Sequence, residues 1–236
     1  MGTKKDTTSA RAARDARKAL AAARFGGRRD SVRWIAAAIA VLGALLVVVI
    51  IGAIHHRGAN TAAQANNTAP STLAIGANTL PPWAAPADAS AAAAAAGLPM
   101  LGSEGTVEHI HAHVDVIING RPEAVPSGVG IDRARRLVSP LHTHDASGIV
   151  HIESPVKRAF SLGEFFTQWQ VSLSADNIGA LRAGDGKSLR VFVNGHLQTG
   201  NPAAITIGAH DEIAIVYGSP QPGETVPATY AFPADE

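Results

Sequence analysis

Hydrophobic and polar residues alternate strictly between residues 106 and 118. The apolar positions are Ile110, Ala112, Val114, Val116 and Ile118. The polar positions are His109, His111, His113 and Asp115. Because successive side chains of a β-strand point to opposite faces of its sheet, this segment predicts a strand with one core face and one face lined by histidines.

Three turn signals predict hairpins. Asn-Gly pairs, which favour two-residue hairpin turns, occur at 119–120 and at 194–195. The first predicts a short second strand, and the second follows a predicted strand at 189–193. A third hairpin is expected within 137–154, around a four-residue turn at 145–148.

One short helix is expected after the third hairpin. Ser161 and Glu164 have the spacing of a capping box, in which each side chain binds the backbone N–H of the other residue. The apolar residues Phe165, Phe166 and Trp169 follow at helical spacing. We expect them to pack against the apolar face of the predicted sheet.

The order of hairpin, helix and further strands resembles a β-grasp sheet. VFVNG at 191–195 and DEIAIVYG at 211–218 are similar to the end of ubiquitin-like modules. This resemblance implies an α+β fold, namely a β-grasp-like mixed sheet with one short helix. The segment 127–160 would be an insertion whose histidine-bearing hairpin lies across the histidine face. The resemblance implies a fold and no function.

An uncharged and mostly apolar run at 34–54 is long enough to span a bilayer as a helix. Residues 1–33 hold ten Lys and Arg against three Asp and Glu. The positive-inside rule then places the N-terminus in the cytoplasm and the rest outside. We therefore expect a single transmembrane helix, an uncleaved signal anchor that contacts the lipid bilayer and holds the protein at the cell membrane.

Composition and charge divide the chain further. From residue 58 onward there are nine basic and sixteen acidic residues, so this part has no electrostatic reason to bind nucleic acid. The absence of cysteine excludes disulfides and thiolate metal sites. The predicted parts are a basic cytoplasmic arm at 1–33, the transmembrane helix at 34–54, an Ala- and Pro-rich extracytoplasmic linker at 55–102, a histidine-rich α+β domain at 103–218 and a Pro-rich tail at 219–236.

Six of the ten histidines lie between His109 and His151. In a hairpin with its turn at 145–148, His142 opposes His151 and His144 points to the same face. Three imidazoles are then within reach of one metal ion. Glu153 follows on this face as a fourth ligand, as the partner of a ligand N–H, or as the base for a bound water.

The histidines of the first strand give a second expectation. His109 and His113 are about 13 Å apart at strand spacing, so only an adjacent pair can join one site. We prefer His111 and His113, while a polar sheet face or a pH-sensitive contact explains the ladder equally well. The predicted metal ligands are thus His142, His144, His151, Glu153, His111 and His113. Imidazole and carboxylate donors suit Zn²⁺ or Cu²⁺.

Two resemblances concern these histidines. A His-x-His pair with a third histidine on the next strand is similar to the zinc site of alpha-type carbonic anhydrases, over three residues only. The segments HIHAHVDV and PLHTHDASGIVHIES together resemble an uncharacterised group of secreted or membrane-anchored bacterial domains with many histidines. Neither resemblance implies an activity.

Three functions are compatible with the sequence. The first is a membrane-anchored extracytoplasmic domain that binds Zn²⁺ or Cu²⁺ for metal capture or handling. The second is a metal-dependent hydrolase or hydratase, in which the ion activates a water molecule. The third is a metal-free domain of the cell envelope that binds an unknown protein partner through its histidine face.

Overall fold

The computed structural model describes residues 14–15, 17–18, 46–49 and 69–234. The chain divides into two units after Asn60, and all the elements considered below lie between residues 69 and 234. The α-helices there are α1 (Ala89–Ala95) and α2 (Leu162–Trp169), with a 3-10 helix at Pro202–Ala204. The strands there are β1 (Glu108–Ile118), β2 (Arg121–Glu123), β3 (Ile131–Asp132), β4 (Leu137–Val138), β5 (Leu141–His142), β6 (Ile149–Ser154), β7 (Leu173–Ser174), β8 (Asn177–Ile178), β9 (Leu181–Arg182), β10 (Ser188–Val193), β11 (His196–Gln198) and β12 (Glu212–Gly218).

The largest sheet is mixed and has the strand order β11-β10-β12-β1-β6-β5. Its central strand β1 pairs in parallel with β12 and antiparallel with β6. The last three residues of β1 also pair with β2, through the predicted turn at 119–120. The turn at 194–195 joins β10 to β11 in the same way. Both Asn-Gly hairpins are therefore confirmed.

Helix α2 covers the apolar face of this sheet. Ser161 and Glu164 form the predicted capping box, with each side chain bonded to the other residue's backbone N–H. All eight residues of α2 are buried, and the core joins them to the apolar positions of β1, β6 and β12. Because side chains alternate along a strand, the histidines of β1 lie on the opposite face.

The third hairpin differs from its prediction. The predicted strand 137–144 is interrupted: β4 pairs with β3, whereas β5 pairs with β6. Pro140 stands at the interruption and has no N–H to donate to a ladder. Since β6 also pairs with β1, this hairpin lies within the main sheet and does not lie across its face.

The residues before the predicted domain also enter the core. Trp83 is buried and its ring packs edge-on against that of Trp169. Helix α1 is capped by Asp88, whose side chain accepts the N–H of Ala91. Much of the segment assigned to a linker at 55–102 is thus folded against α2, at least from residue 70 onward.

The predicted fold class, an α+β and β-grasp-like fold behind a transmembrane helix, is wrong. The structure is mostly β-sheet, and in the range 69–234 its α-helices have only seven and eight residues. The predicted mixed sheet is present, but two small sheets, β3-β4 and β7-β8-β9, accompany it. The sequence pattern missed these sheets because their strands, of two residues each, are too short to show a period.

The predicted transmembrane helix at 34–54 was part of the fold class that the structure contradicts. In the part of the chain that the structure describes, no helix has the length and apolar character needed to cross a bilayer. Of the predicted span, residues 46–49 are described and helical, and the others lie outside the described residues. A location at the cell membrane stays a prediction.

Candidate metal centre

A row of three histidines crosses three neighbouring strands. His142 of β5 lies opposite His151 of β6, as predicted, and His151 lies opposite His111 of β1. Two positions further along β6, Glu153 lies opposite His109. Directly opposed residues project to the same face of a sheet. The two histidine sets are therefore side by side on one surface rather than face to face.

The ligand atoms of His142, His144, His151 and Glu153 all lie within 4.8 Å of one another. We call this group the hairpin cluster. The Nε2 atoms of His142 and His144 are 3.2 Å apart, close to the roughly 3.3 Å that separates two nitrogens bound tetrahedrally to one Zn²⁺. The short turn that follows His144 thus brings together the predicted ligands of the hairpin.

The His142 ring is held in one tautomer. Its Nδ1–H donates to the backbone carbonyl of Ser139 at 2.9 Å, so the lone pair is on Nε2. Burial lowers the pKa of this side chain to about 4, because the imidazolium would lose its hydration. At neutral pH His142 is therefore an uncharged imidazole whose Nε2 lone pair lies in the hairpin cluster, 3.2 Å from Nε2 of His144.

The carboxylate of Glu153 is buried beside these rings. Its Oε1 accepts a hydrogen bond from Nδ1 of His151 at 3.2 Å, while its Oε2 has no hydrogen-bond partner among the described residues. Burial raises the pKa of Glu153, but the hydrogen bond from His151 and the nearby histidines lower it below its usual value. Glu153 is therefore ionised at neutral pH, and Oε2 lies 3.9 Å from Nε2 of His142.

The strand pattern did not identify Glu104 as a neighbour of this cluster. Its Oε1 lies 3.5 Å from Nε2 of His144 and 3.9 Å from Nε2 of His142. The next residue, Gly105, lies so close to β6 that an added Cβ would be 2.1 Å from the carbonyl carbon of Ser154. Glu104 precedes the first segment with a strand-like alternation, so the alternation could not place its side chain. The neighbouring Gly105 is the sequence feature that could have indicated a close approach of the backbone to another strand.

A second group shares Glu153 with the hairpin cluster. It consists of His109, His111 and Glu153, and we call it the ladder cluster. Nε2 of His109 and Nε2 of His111 lie 3.5 and 3.7 Å from Oε1 of Glu153. The structure thus groups the predicted ligand His111 with His109 rather than with His113.

His113 belongs to a third group, with Asp115 and Glu212. Its Nδ1 lies 2.8 Å from Oε2 of Glu212, and its Nε2 lies 2.8 Å from the carbonyl of Ser147. Since both neighbours are acceptors, both ring nitrogens donate and neither offers a lone pair to a metal. Burial lowers the pKa of His113, but these hydrogen bonds and the charge of Glu212 raise it above the ordinary value. The geometry favours a buried ion pair.

Comparisons with family models, curated proteins and solved structures find no match for this chain. The resemblance to bacterial domains rich in histidine therefore stays a prediction. What the structure supports is that groups of histidine and glutamate could hold a metal ion. Any function has to be argued from their geometry.

Proposed function

We propose that this protein binds one divalent transition metal ion, Zn²⁺ or Cu²⁺, through His142, His144 and His151, with Glu153 as the fourth donor. The observation that carries this proposal is Oε2 of Glu153, a buried carboxylate oxygen that has no hydrogen-bond partner among the described residues and lies 3.9 Å from Nε2 of His142. The role we propose is metal capture or handling.

The energetics of Glu153 favour a cation in this cluster. Leaving a buried polar group without a partner costs about 1–3 kcal/mol, and more when the group is charged. Buried charges in proteins are therefore paired or coordinate a metal. No lysine or arginine is paired with Glu153 among the described ion pairs, which join this carboxylate to histidines only. A metal ion held by the imidazoles of the hairpin cluster would balance the charge of the carboxylate.

The donor set supports the proposed choice of metal. Imidazole nitrogens with one carboxylate are borderline donors that suit Zn²⁺ and Cu²⁺. The sequence has no cysteine, and neither of its two methionines lies beyond Met100. A soft Cu(I) site is therefore disfavoured, and the predominance of nitrogen donors disfavours Mg²⁺ and Ca²⁺.

Partial exposure of the cluster supports capture or handling. The side chain of His142 is buried, whereas the side chains of His144 and Glu104 are 47% and 51% exposed. The hairpin cluster is thus shielded from solvent at His142 and exposed to solvent at His144 and Glu104. An ion could enter and leave there without disturbing the core.

The test is a measurement of bound metal per chain on the full-length protein without tag histidines. After equilibration with Zn²⁺ or Cu²⁺ and removal of excess, the parent should retain metal with micromolar or tighter affinity. His144→Ala, at a half-exposed position, should weaken binding at least tenfold, and His142→Ala/His144→Ala should abolish it in the hairpin cluster. His196→Ala, which changes an exposed histidine of β11, is the matched control. Parent-like affinity in His144→Ala and in the double variant would refute the proposal.

A further inference from the structure

Glu153 has two oxygens that face two different sets of histidines. Its Oε2 lies 3.9 Å from Nε2 of His142, in the hairpin cluster. Its Oε1 lies 3.5 Å from Nε2 of His109 and 3.7 Å from Nε2 of His111, in the ladder cluster. The pairing of β6 with β1 creates this arrangement, because it sets Glu153 directly opposite His109.

The distances between donor atoms in the ladder cluster are close to those between ligands of one metal ion. Two donors bound to one ion at 2.0–2.1 Å are separated by about 3.3 Å in tetrahedral and about 3.6 Å in trigonal geometry. The distance from Oε1 to Nε2 of His109, 3.5 Å, lies within this range, and the distance to Nε2 of His111, 3.7 Å, lies just above it. The rings of His109 and His111 meet edge to face, with their centroids 5.1 Å apart. One ligand atom from each of His109, His111 and Glu153 lies within 4.8 Å of the other two.

We propose that the protein holds a second divalent metal ion between His109 and His111, and that the carboxylate of Glu153 bridges the two ions. This inference rests on the proposed function, since the first ion is the one in the hairpin cluster. Oε2 binds the first ion and Oε1 binds the second. The second lone pair of Oε1 still accepts the hydrogen bond from Nδ1 of His151.

The charges around Glu153 set the order of binding. The first ion has three imidazoles and an oxygen with no hydrogen-bond partner among the described residues. The second has two imidazoles and an oxygen that also accepts the hydrogen bond from His151. Two divalent cations bridged by one carboxylate also repel each other. The second ion therefore binds more weakly and after the first. Its site is reached from solvent through His109, whose side chain is 53% exposed.

The number of protein donors determines how many coordination positions of the second ion remain open. The second ion has three protein donors, so it keeps at least one position for water or an anionic ligand.

The experiment is a titration of the metal-free full-length protein with Cu²⁺, followed by equilibrium dialysis and by electron paramagnetic resonance. The parent should bind two ions per chain in two separated steps. The resonance intensity should rise to about one spin per chain and then fall as the second ion couples to the first through Glu153. His109→Ala, at an exposed position, and His109→Ala/His111→Ala should bind one ion and retain its full intensity. His196→Ala should behave as the parent.

The outcomes separate the two proposals. One ion per chain in the parent and unchanged stoichiometry in both His109 variants would overturn the bridged pair and leave the hairpin site intact. Two ions that give two full, uncoupled spins would also overturn the bridge. No bound ion in the parent would refute the proposed function itself. A parent-like circular dichroism spectrum of each variant shows that a lost ion reflects lost ligands rather than lost fold.

Discussion

Glu153 of β6 lies opposite His109 of β1, and its two carboxylate oxygens lie 3.5 Å from Nε2 of His109 and 3.9 Å from Nε2 of His142. One buried carboxylate thus connects histidines from three strands. Glu153 lies on the face opposite α2 and is buried there beside these histidines. Its energetics make the first prediction.

Glu153→Gln should separate stability from metal binding. The folded state lowers the pKa of Glu153 and so stabilises its charge, whereas its Oε2 lacks a hydrogen-bond partner among the described residues. Because these two effects oppose each other, the free energy of unfolding of the metal-free protein should stay within about 1 kcal/mol of the parent value. Metal affinity should fall by about 10- to 100-fold, because a ligand or the partner of a ligand is lost. Urea unfolding with and without chelator, together with competition titration, measures both effects.

Glu164→Gln is the matched control for that substitution. Glu164 is equally buried, but its carboxylate is bonded to Arg158 and to the N–H of Ser161. Loss of the Glu164 carboxylate should lower the free energy of unfolding by about 1–3 kcal/mol and leave metal affinity unchanged. If Glu153→Gln instead resembled this control, a purely structural role for Glu153 would be the better account.

The low pKa of His142 predicts acid sensitivity of the metal-free protein. Its folded-state pKa is about 4, against an ordinary value of 6.5. Between these values the unfolded chain binds a proton at His142 and the folded chain does not. The free energy of unfolding should therefore fall as pH decreases from about 6.5 to about 4, by at most about 3 kcal/mol.

His142→Gln should flatten this part of the pH profile, since glutamine does not titrate. Urea unfolding at pH values from 4 to 7.5, in the presence of chelator, provides the measurement. Parallel profiles for parent and variant would show that His142 titrates normally in the folded state.

His113 should have the opposite pH dependence. Its pKa is raised above 6.5 in the folded state by the hydrogen bonds to Glu212 and Ser147. The stabilisation from this ion pair is complete below pH 6.5 and is lost as pH rises through the folded-state pKa. Proton NMR titration of the ring, which stacks on Tyr230 with centroids 3.7 Å apart, should give a pKa above that of an exposed histidine.

His113→Gln distinguishes this structural role from ligation. The variant should be less stable than the parent at pH 6 and should lose part of the difference at high pH. Its metal stoichiometry should equal that of the parent, because both ring nitrogens of His113 already donate to protein acceptors. A lost ion in this variant would assign His113 to the metal centre after all.

Glu104→Gln tests the open side of the hairpin cluster. Because the Glu104 side chain is about half exposed and 3.5 Å from His144, its charge should contribute modestly to affinity. We expect a fewfold weaker binding and faster metal release in stopped-flow exchange with a chelator. Glu108→Gln, a nearby acidic residue of β1 that belongs to none of the three groups, is the control. Equal release rates in both variants would argue against Glu104 as a neighbour of the ion.

The hairpin cluster was predictable because its geometry is local. A four-residue turn at 145–148 fixes the pairing of His142 with His151, and side-chain alternation then places His144 and Glu153 on the same face. The capping box at Ser161 was predictable for the same reason, since all its contacts lie within one helical turn.

The ladder cluster and Glu104 depend on long-range pairing. The register that sets His109 opposite Glu153 joins residues 44 positions apart, and no turn signal specifies it. The composition of 55–102 likewise suggested a linker because it is rich in Ala and Pro and nearly uncharged. Part of this segment is nevertheless buried, since the ring of Trp83 packs against that of Trp169.

X-ray absorption on the full-length protein loaded with one equivalent of Zn²⁺ tests the central claim most directly. We expect three imidazole nitrogens at about 2.0–2.1 Å from the Zn²⁺ and one carboxylate oxygen at about 2.0–2.2 Å. In His142→Ala/His144→Ala, the imidazole scattering around any residual Zn²⁺ should fall by at least one ligand. A shell of oxygen atoms alone in the parent, or the same imidazole count in parent and variant, would contradict the hairpin cluster as the metal centre.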